Sequence, residues 1–110
     1  MAADPREDIL DALEAVIRER SGGDPEQSYV AALLADGPPR IGRKLGEEAV
    51  ESVIAGMAED PDALVNEIAD LWFHSLVLLA ARDRSLEDVR EELARRFGLS
   101  GIEEKRRREN

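Results

Sequence analysis

The sequence predicts an all-α fold, a small bundle of about five helices completed by homodimerisation. Three observations carry this. Apolar residues recur at spacings of three and four along most of the chain, the period of a helix with one buried face. The breaks between these runs carry helix-start chemistry, Asp-Pro at positions 4–5, 24–25 and 60–61 and Ser-Leu-Glu-Asp at 85–88. No segment shows sustained alternation of apolar and polar residues, so no sheet is expected.

Each Asp-Pro pair sets an N-cap acceptor before a proline whose missing N–H would have had no intrahelical partner. The first helix is expected over about residues 5–20, on Ile9, Leu13, Val16 and Ile17. A shorter second, about 26–36, carries Val30, Leu33 and Leu34; Gly37-Pro38-Pro39 ends it and opens the next. The third, about 39–59, runs along Leu45, Ala49, Val50, Val53, Ile54 and Met57. The fourth, about 62–82, holds Leu64, Ile68, Leu71, Trp72, Leu76 and Leu79. Ser85 caps a fifth on Leu86, Val89, Leu93 and Phe97, with Gly98 as its stop. Residues 102–110 form a charged tail, and the whole of 1–110 reads as a single domain.

Composition excludes several functions. There is no cysteine, which removes disulfides, thiolate zinc sites and cysteine nucleophiles together. The formal net charge is −10, the wrong sign for general nucleic-acid binding, which draws most of its affinity from phosphate neutralisation. The N-terminal residues are charged and lack the apolar stretch of a secretory signal. The longest run without formal charge, residues 71–81, is 11 residues, against the roughly 20 of a membrane span. The expectation is a cytoplasmic protein with no nucleic-acid or membrane partner.

The fourth segment is apolar on nearly every side from Leu71 to Ala81, so it is expected at the centre and buried across a subunit interface. The same segment carries Glu67, Asp70 and His74, which fall within about 60° of one another at 100° per residue. An unpaired buried carboxylate costs several kcal/mol, so this stripe requires cations or solvent. The third segment has a matching stripe of Lys44, Glu47, Glu48 and Glu51. Glu48 and Glu51 are one turn apart, as are Glu67 and Asp70. Two antiparallel neighbours can therefore converge four carboxylates on a hard divalent cation, and magnesium prefers such oxygen ligands. A single histidine argues against zinc or di-iron centres. The plainer alternative makes Glu47, Glu48 and Glu51 a solvated face, His74 a satisfied half-buried histidine, and Trp72 and Phe73 core.

Glu47-Glu48-x-x-Glu51 followed by Glu67-x-x-Asp70 is similar to the signature of the all-α nucleoside triphosphate pyrophosphohydrolase (MazG-like) superfamily. The surroundings narrow it: Ser28-Tyr29-Val30, Leu33-Leu34, the stretch from Ile41-Gly42-Arg43-Lys44 to Glu51, Glu67-Ile68-Ala69-Asp70-Leu71-Trp72-Phe73-His74, and Gly98-Leu99-Ser100-Gly101 to Lys105. Together, from about Leu10 to Arg108, these resemble the phosphoribosyl-ATP pyrophosphohydrolase family of histidine biosynthesis, in a form without the fused cyclohydrolase. Trp72-Phe73 departs from the smaller or tyrosine-like residues expected before the histidine.

The resemblance implies magnesium-dependent hydrolysis of phosphoribosyl-ATP to phosphoribosyl-AMP and pyrophosphate. Glu48, Glu51, Glu67 and Asp70 would hold Mg2+. Glu47 completes the catalytic set as an orienter, a ligand to a second metal, or a base. Lys44, Arg43, His74 and Lys105 are the candidate substrate contacts, with Arg40 and the rest of the basic tail behind them. Lys44 can meet a phosphate or pin a carboxylate. Two other readings stand beside this: a house-cleaning pyrophosphatase for dUTP, dCTP or a damaged nucleotide, and a non-catalytic helical interaction module.

Overall fold

The computed structural model describes residues 9–58 and 60–97. Among these residues the chain is entirely helical in its regular structure, with α1 (Ile9–Arg20), α2 (Tyr29–Asp36), α3 (Pro38–Met57), α4 (Pro61–Ala81) and α5 (Leu86–Arg96). The all-α expectation holds, and every predicted helix is present. The Asp4-Pro5 start, the Gly98 stop and the tail with Lys105 lie outside the described residues.

The long helices α3 and α4 form a hairpin across a short connection, residues 58–60, and make the most extensive packing in the fold. Asp60 caps α4 as its sequence predicts, its side chain accepting the Ala63 amide at 3.1 Å. Gly37 joins α2 to α3 at φ 86°, a left-handed conformation that favours glycine, while its N–H closes α2 on the Leu33 carbonyl. The expected Asp24-Pro25 helix start is corrected. Asp24 closes a turn instead, accepting from Glu26 through its side chain and from Gln27 and Ser28 through its carbonyl. Ser28 is the true cap, accepting from the Ala31 amide, so α2 begins three residues later than expected.

Four side chains are almost wholly inaccessible, one from each of the first four helices: Ile17, Leu33, Ile41 and Val77. Leu76 and Leu86 join them, with Leu10, Leu13, Phe73 and Leu79 packed around. The core is aliphatic, as an aromatic-poor composition requires. Trp72 is not part of it, remaining half exposed beside an apolar groove lined by Leu10, Leu76, Leu79, Leu86 and Leu93. The helix α4, 21 residues long, is apolar enough by length and composition to cross a membrane. In this fold it is instead the central helix, packed against α1, α2 and α3.

The last helix is fastened by polar contacts as well as by Leu86 in the core. Ser85 and Asp88 form a reciprocal capping box, satisfying each other's amides. The Leu86 amide, which no helical carbonyl can reach, donates 2.6 Å to Glu14 on α1. Arg90 grips Asp11 with two parallel bonds of 2.7 and 2.8 Å and holds that carboxyl below its usual range.

Removal of the Glu14 carboxylate leaves a half-buried amide unpaired. Glu14→Ala is expected to cost about 1–3 kcal/mol in urea unfolding. Asp11→Ala, at a solvent-exposed pair, should cost clearly less. Equal losses from the two variants would refute this account of how α5 is held.

Candidate active site

The α3–α4 hairpin brings three carboxylates together in the region the sequence indicates. One oxygen from each of Glu48, Glu67 and Asp70 lies within 4.8 Å of the other two. Glu48 faces α4 because it shares the inward side of α3 with Ile41, Ser52 and Ala55, all buried. The buried Ser52 hydroxyl is satisfied within its own helix, donating back to the Glu48 carbonyl at 2.8 Å. Glu51 reaches the cluster from the next turn of α3, its carboxylate lying against that of Glu67.

Among the described residues, no cationic side chain lies between these acids. Oε2 of Glu48 and Oε2 of Glu67 are both buried, and no donor among the described residues reaches either. Contact with the Glu51 carboxylate, then burial, then contact with Glu48 push the Glu67 carboxyl up to about 7. Glu48 is raised as well, first by burial, with the charges of Glu51 and Asp70 adding to it, although its contact with Glu67 works the other way. Buried polar atoms ordinarily have partners. Orphaned carboxylate oxygens, converging from three or four side chains with no nitrogen or sulfur donor, fit an oxygen-seeking divalent cation such as Mg2+.

The remaining predicted residues are disposed around this centre. Glu47 stands outside the three-acid group, half exposed and paired with Lys44 at 3.7 Å. Lys44 is therefore in the carboxylate-pinning arrangement of its two expected roles. Arg43 lines an open polar cleft of about 470 Å³ with Asp36, Pro39 and Arg40, and Arg40 is itself ion-paired to Asp36 one turn back on α2.

His74 is only 6% exposed. Its Nδ1 lies 2.8 Å from the Asp70 carbonyl and its Nε2 lies 3.0 Å from the Tyr29 hydroxyl. Both ring nitrogens are engaged inside the fold, as the plainer reading of this residue has it. Tyr29 is not among the site residues that the sequence predicts. It lies 45 residues from His74, and a contact between separate helices leaves no trace in local spacing. The only local sign is an aromatic residue placed directly after the Ser28 cap.

A carboxyl whose folded pKa is raised binds its proton more tightly when folded than when unfolded. Its contribution to stability is complete below about 4.5, the ordinary value for a glutamate, and is lost as pH rises through about 7. The thermal midpoint of chelator-treated protein should therefore fall across this window. Glu67→Gln should flatten that fall, raise the midpoint at pH 8, and remove any stabilisation by added Mg2+. An unchanged pH dependence in Glu67→Gln, followed by scanning calorimetry, would show that these carboxylates do not repel one another.

The family model described as phosphoribosyl-ATP pyrophosphohydrolase matches residues 10–97. Relatives named phosphoribosyl-ATP pyrophosphatase are similar over nearly the whole chain. The protein of Caulobacter sp. (strain K31) is 55% identical over 89% of this chain and 91% of its own length. That of Burkholderia vietnamiensis is 56% identical over 90% and 85%, and that of Burkholderia mallei (strain SAVP1) 54% identical over 96% and 89%. The acidic hairpin, Glu48 on α3 with Glu67 and Asp70 on α4, falls wholly inside the matched region, and the chain belongs to the phosphoribosyl-ATP pyrophosphohydrolase family.

Proposed function

We propose that this protein hydrolyses phosphoribosyl-ATP to phosphoribosyl-AMP and pyrophosphate, the second step of histidine biosynthesis, using Mg2+ held by the acidic hairpin in a homodimer. Family membership at about 55% identity supports the reaction. The observation that carries the metal is the pair of buried, partnerless oxygens on Glu48 and Glu67. A soluble, cytoplasmic enzyme goes with this reading.

Glu48, Glu67 and Asp70 would hold the cation, with Glu51 beside them as the fourth ligand. When bound, Mg2+ supplies charge neutralisation on the polyphosphate and activation of water. In the reaction, water adds at the α-phosphorus, the bond to the bridging oxygen breaks, and pyrophosphate leaves. The residues of this chain orient the phosphates and exclude bulk solvent from one side, since Glu48 and Glu67 present oxygens from inside the hairpin. Glu47 lies at the rim with Lys44, placed to orient water or to release Lys44 to a phosphate. Arg43, in its polar cleft, is the other candidate contact for the anionic substrate; Lys105 completes the proposed substrate contacts, whereas His74, with both ring nitrogens engaged inside the fold, acts only through the segment it buttresses.

Dimerisation is supported by a second apolar face on α3. Val50, Val53 and Met57 are 58%, 59% and 79% exposed, on the side of the helix opposite Ile41, Ser52 and Ala55. Gly42 and Gly46 lie along the same outward side, where an added Cβ would meet none of the described residues. An isolated helix does not need such a face, whereas a second copy of this chain would bury it. Glu47 and Glu51 lie between the two apolar faces, so the second copy would border the acidic site.

Pyrophosphate release should occur from phosphoribosyl-ATP with Mg2+, cease with chelator, and be weak or absent with ATP, dUTP and dCTP. Preference for a free nucleotide would move the enzyme to nucleotide housekeeping, and silence on all four with folded protein would favour the interaction module. Asp70→Asn should lower kcat/KM on the order of 100-fold or more, about 2.7 kcal/mol of transition-state stabilisation, without changing the circular-dichroism spectrum. For the dimer, Val53→Glu places a charge on the outward face of α3 and should yield a folded monomer by sedimentation velocity. A wild-type monomer, or an unchanged Val53→Glu dimer, would refute that face as the interface.

A further inference from the structure

Between α2 and α4 a hydrogen-bonded chain ends on the backbone of a residue in the acidic cluster. The Asp70 carbonyl can only accept, so Nδ1 of His74, 2.8 Å away, carries the proton. In the neutral ring Nε2 is then an acceptor, and the Tyr29 hydroxyl at 3.0 Å donates to it. The chain runs in one direction, from Tyr29 O–H to Nε2, and from Nδ1–H to the Asp70 carbonyl. That carbonyl also lies where an α-helix accepts the amide four residues on, so its peptide is gripped by the helix ladder and by the side chain of the same histidine.

Each link is fixed from outside. Tyr29 is the first residue of α2, immediately after the Ser28 cap and a turn closed on Asp24. Its ring stacks on Phe73 with centroids 6.2 Å apart, and Phe73 meets the His74 ring edge-on at 5.0 Å. An aliphatic residue at position 74 would hold α2 against α4 without burying a polar ring. The imidazole adds a directional bond to the residue that carries the exposed acid of the cluster.

We propose that Tyr29 and His74 are positioning residues that fix the Asp70 peptide, and with it the aim of the Asp70 carboxylate at the divalent cation. This rests on the metal reading given above. Neither residue touches the cation; each acts through Asp70. Groups that orient metal ligands without binding the metal typically change affinity about 10–100-fold when lost.

The experiment is Mn2+ binding, followed by the electron paramagnetic resonance signal of free Mn2+, in full-length wild type, Glu67→Gln, Tyr29→Phe, His74→Leu and His74→Asn. Tyr29→Phe keeps the ring stack and deletes only the hydroxyl; it should weaken Mn2+ binding several-fold and leave KM for phosphoribosyl-ATP at saturating metal unchanged. His74→Leu should weaken it about 10–100-fold, and His74→Asn, which restores a donor near the Nδ1 position, should recover part of the loss. Should His74→Leu fail to fold, Tyr29→Phe and His74→Asn still decide the matter. Wild-type affinity in folded Tyr29→Phe and His74→Leu, with Glu67→Gln impaired, would overturn the positioning role alone. Equal binding by wild type and Glu67→Gln would overturn the metal site and this proposal with it.

Discussion

Like-charged groups held together inside a helical hairpin are the constraint on which the rest of this structure depends. Helices α3 and α4 pack closely enough to bury Oε2 of both Glu48 and Glu67, and the protein provides no donor for either among the described residues. Repulsion and lost hydration both oppose that arrangement, which is why Glu67 holds its proton up to about 7. A helical pair free of such a task would carry apolar residues there. The remaining helices hold the hairpin closed against this cost: Ile17, Leu33, Ile41 and Val77 draw α1 to α4 into one aliphatic centre.

The supporting contacts are graded by how much of them water can replace. Leu86 reaches back to Glu14 through an amide that would otherwise be stranded, so that bond matters to the seating of α5. The Arg90 fork on Asp11 has better geometry but lies in solvent, where an ion pair contributes little. At the other side, Tyr29, Phe73 and His74 close α2 on α4 with one aromatic contact set and one polar chain. That side is where the brace meets the acidic cluster directly.

Local chemistry made much of this legible. Caps at Asp60 and Ser85, the Gly37 break and the periodic apolar runs place the helices to within a few residues, because each is decided by neighbours in sequence. The Asp24 start misleads for a physical reason: an Asx turn and an N-cap use the same acceptor, and here Ser28 three residues further on takes the cap. The convergence of Glu48 with Glu67 and Asp70 follows from one inference, that consecutive helices pair across a short turn. Tyr29 on His74 follows from none, since the partners belong to helices that are not consecutive. Trp72 misleads in the opposite sense, because an apolar helix can direct its largest ring out of the chain's own core.

An acidic chain that takes an anionic substrate must concentrate its few cations where the phosphates arrive. Arg40 is held by Asp36 and Lys44 by Glu47, which keeps both basic groups on the first turns of α3, upstream of the acids. The Lys44 pair is long, at 3.7 Å, with both side chains near half exposed. Pairs of this kind are worth at most about 1 kcal/mol, so a phosphate oxygen can replace the Glu47 carboxylate at small cost. The same exchange is closed to Glu48 and Glu67, whose buried oxygens lie inside the hairpin with no donor among the described residues to give up. If the acidic hairpin holds a cation as proposed, one end of the acidic stripe exchanges a surface partner for substrate, and the other end is satisfied by a cation that enters with it or before it. On the proposed reading, that division explains how a protein of net charge −10 can hold a polyphosphate at all.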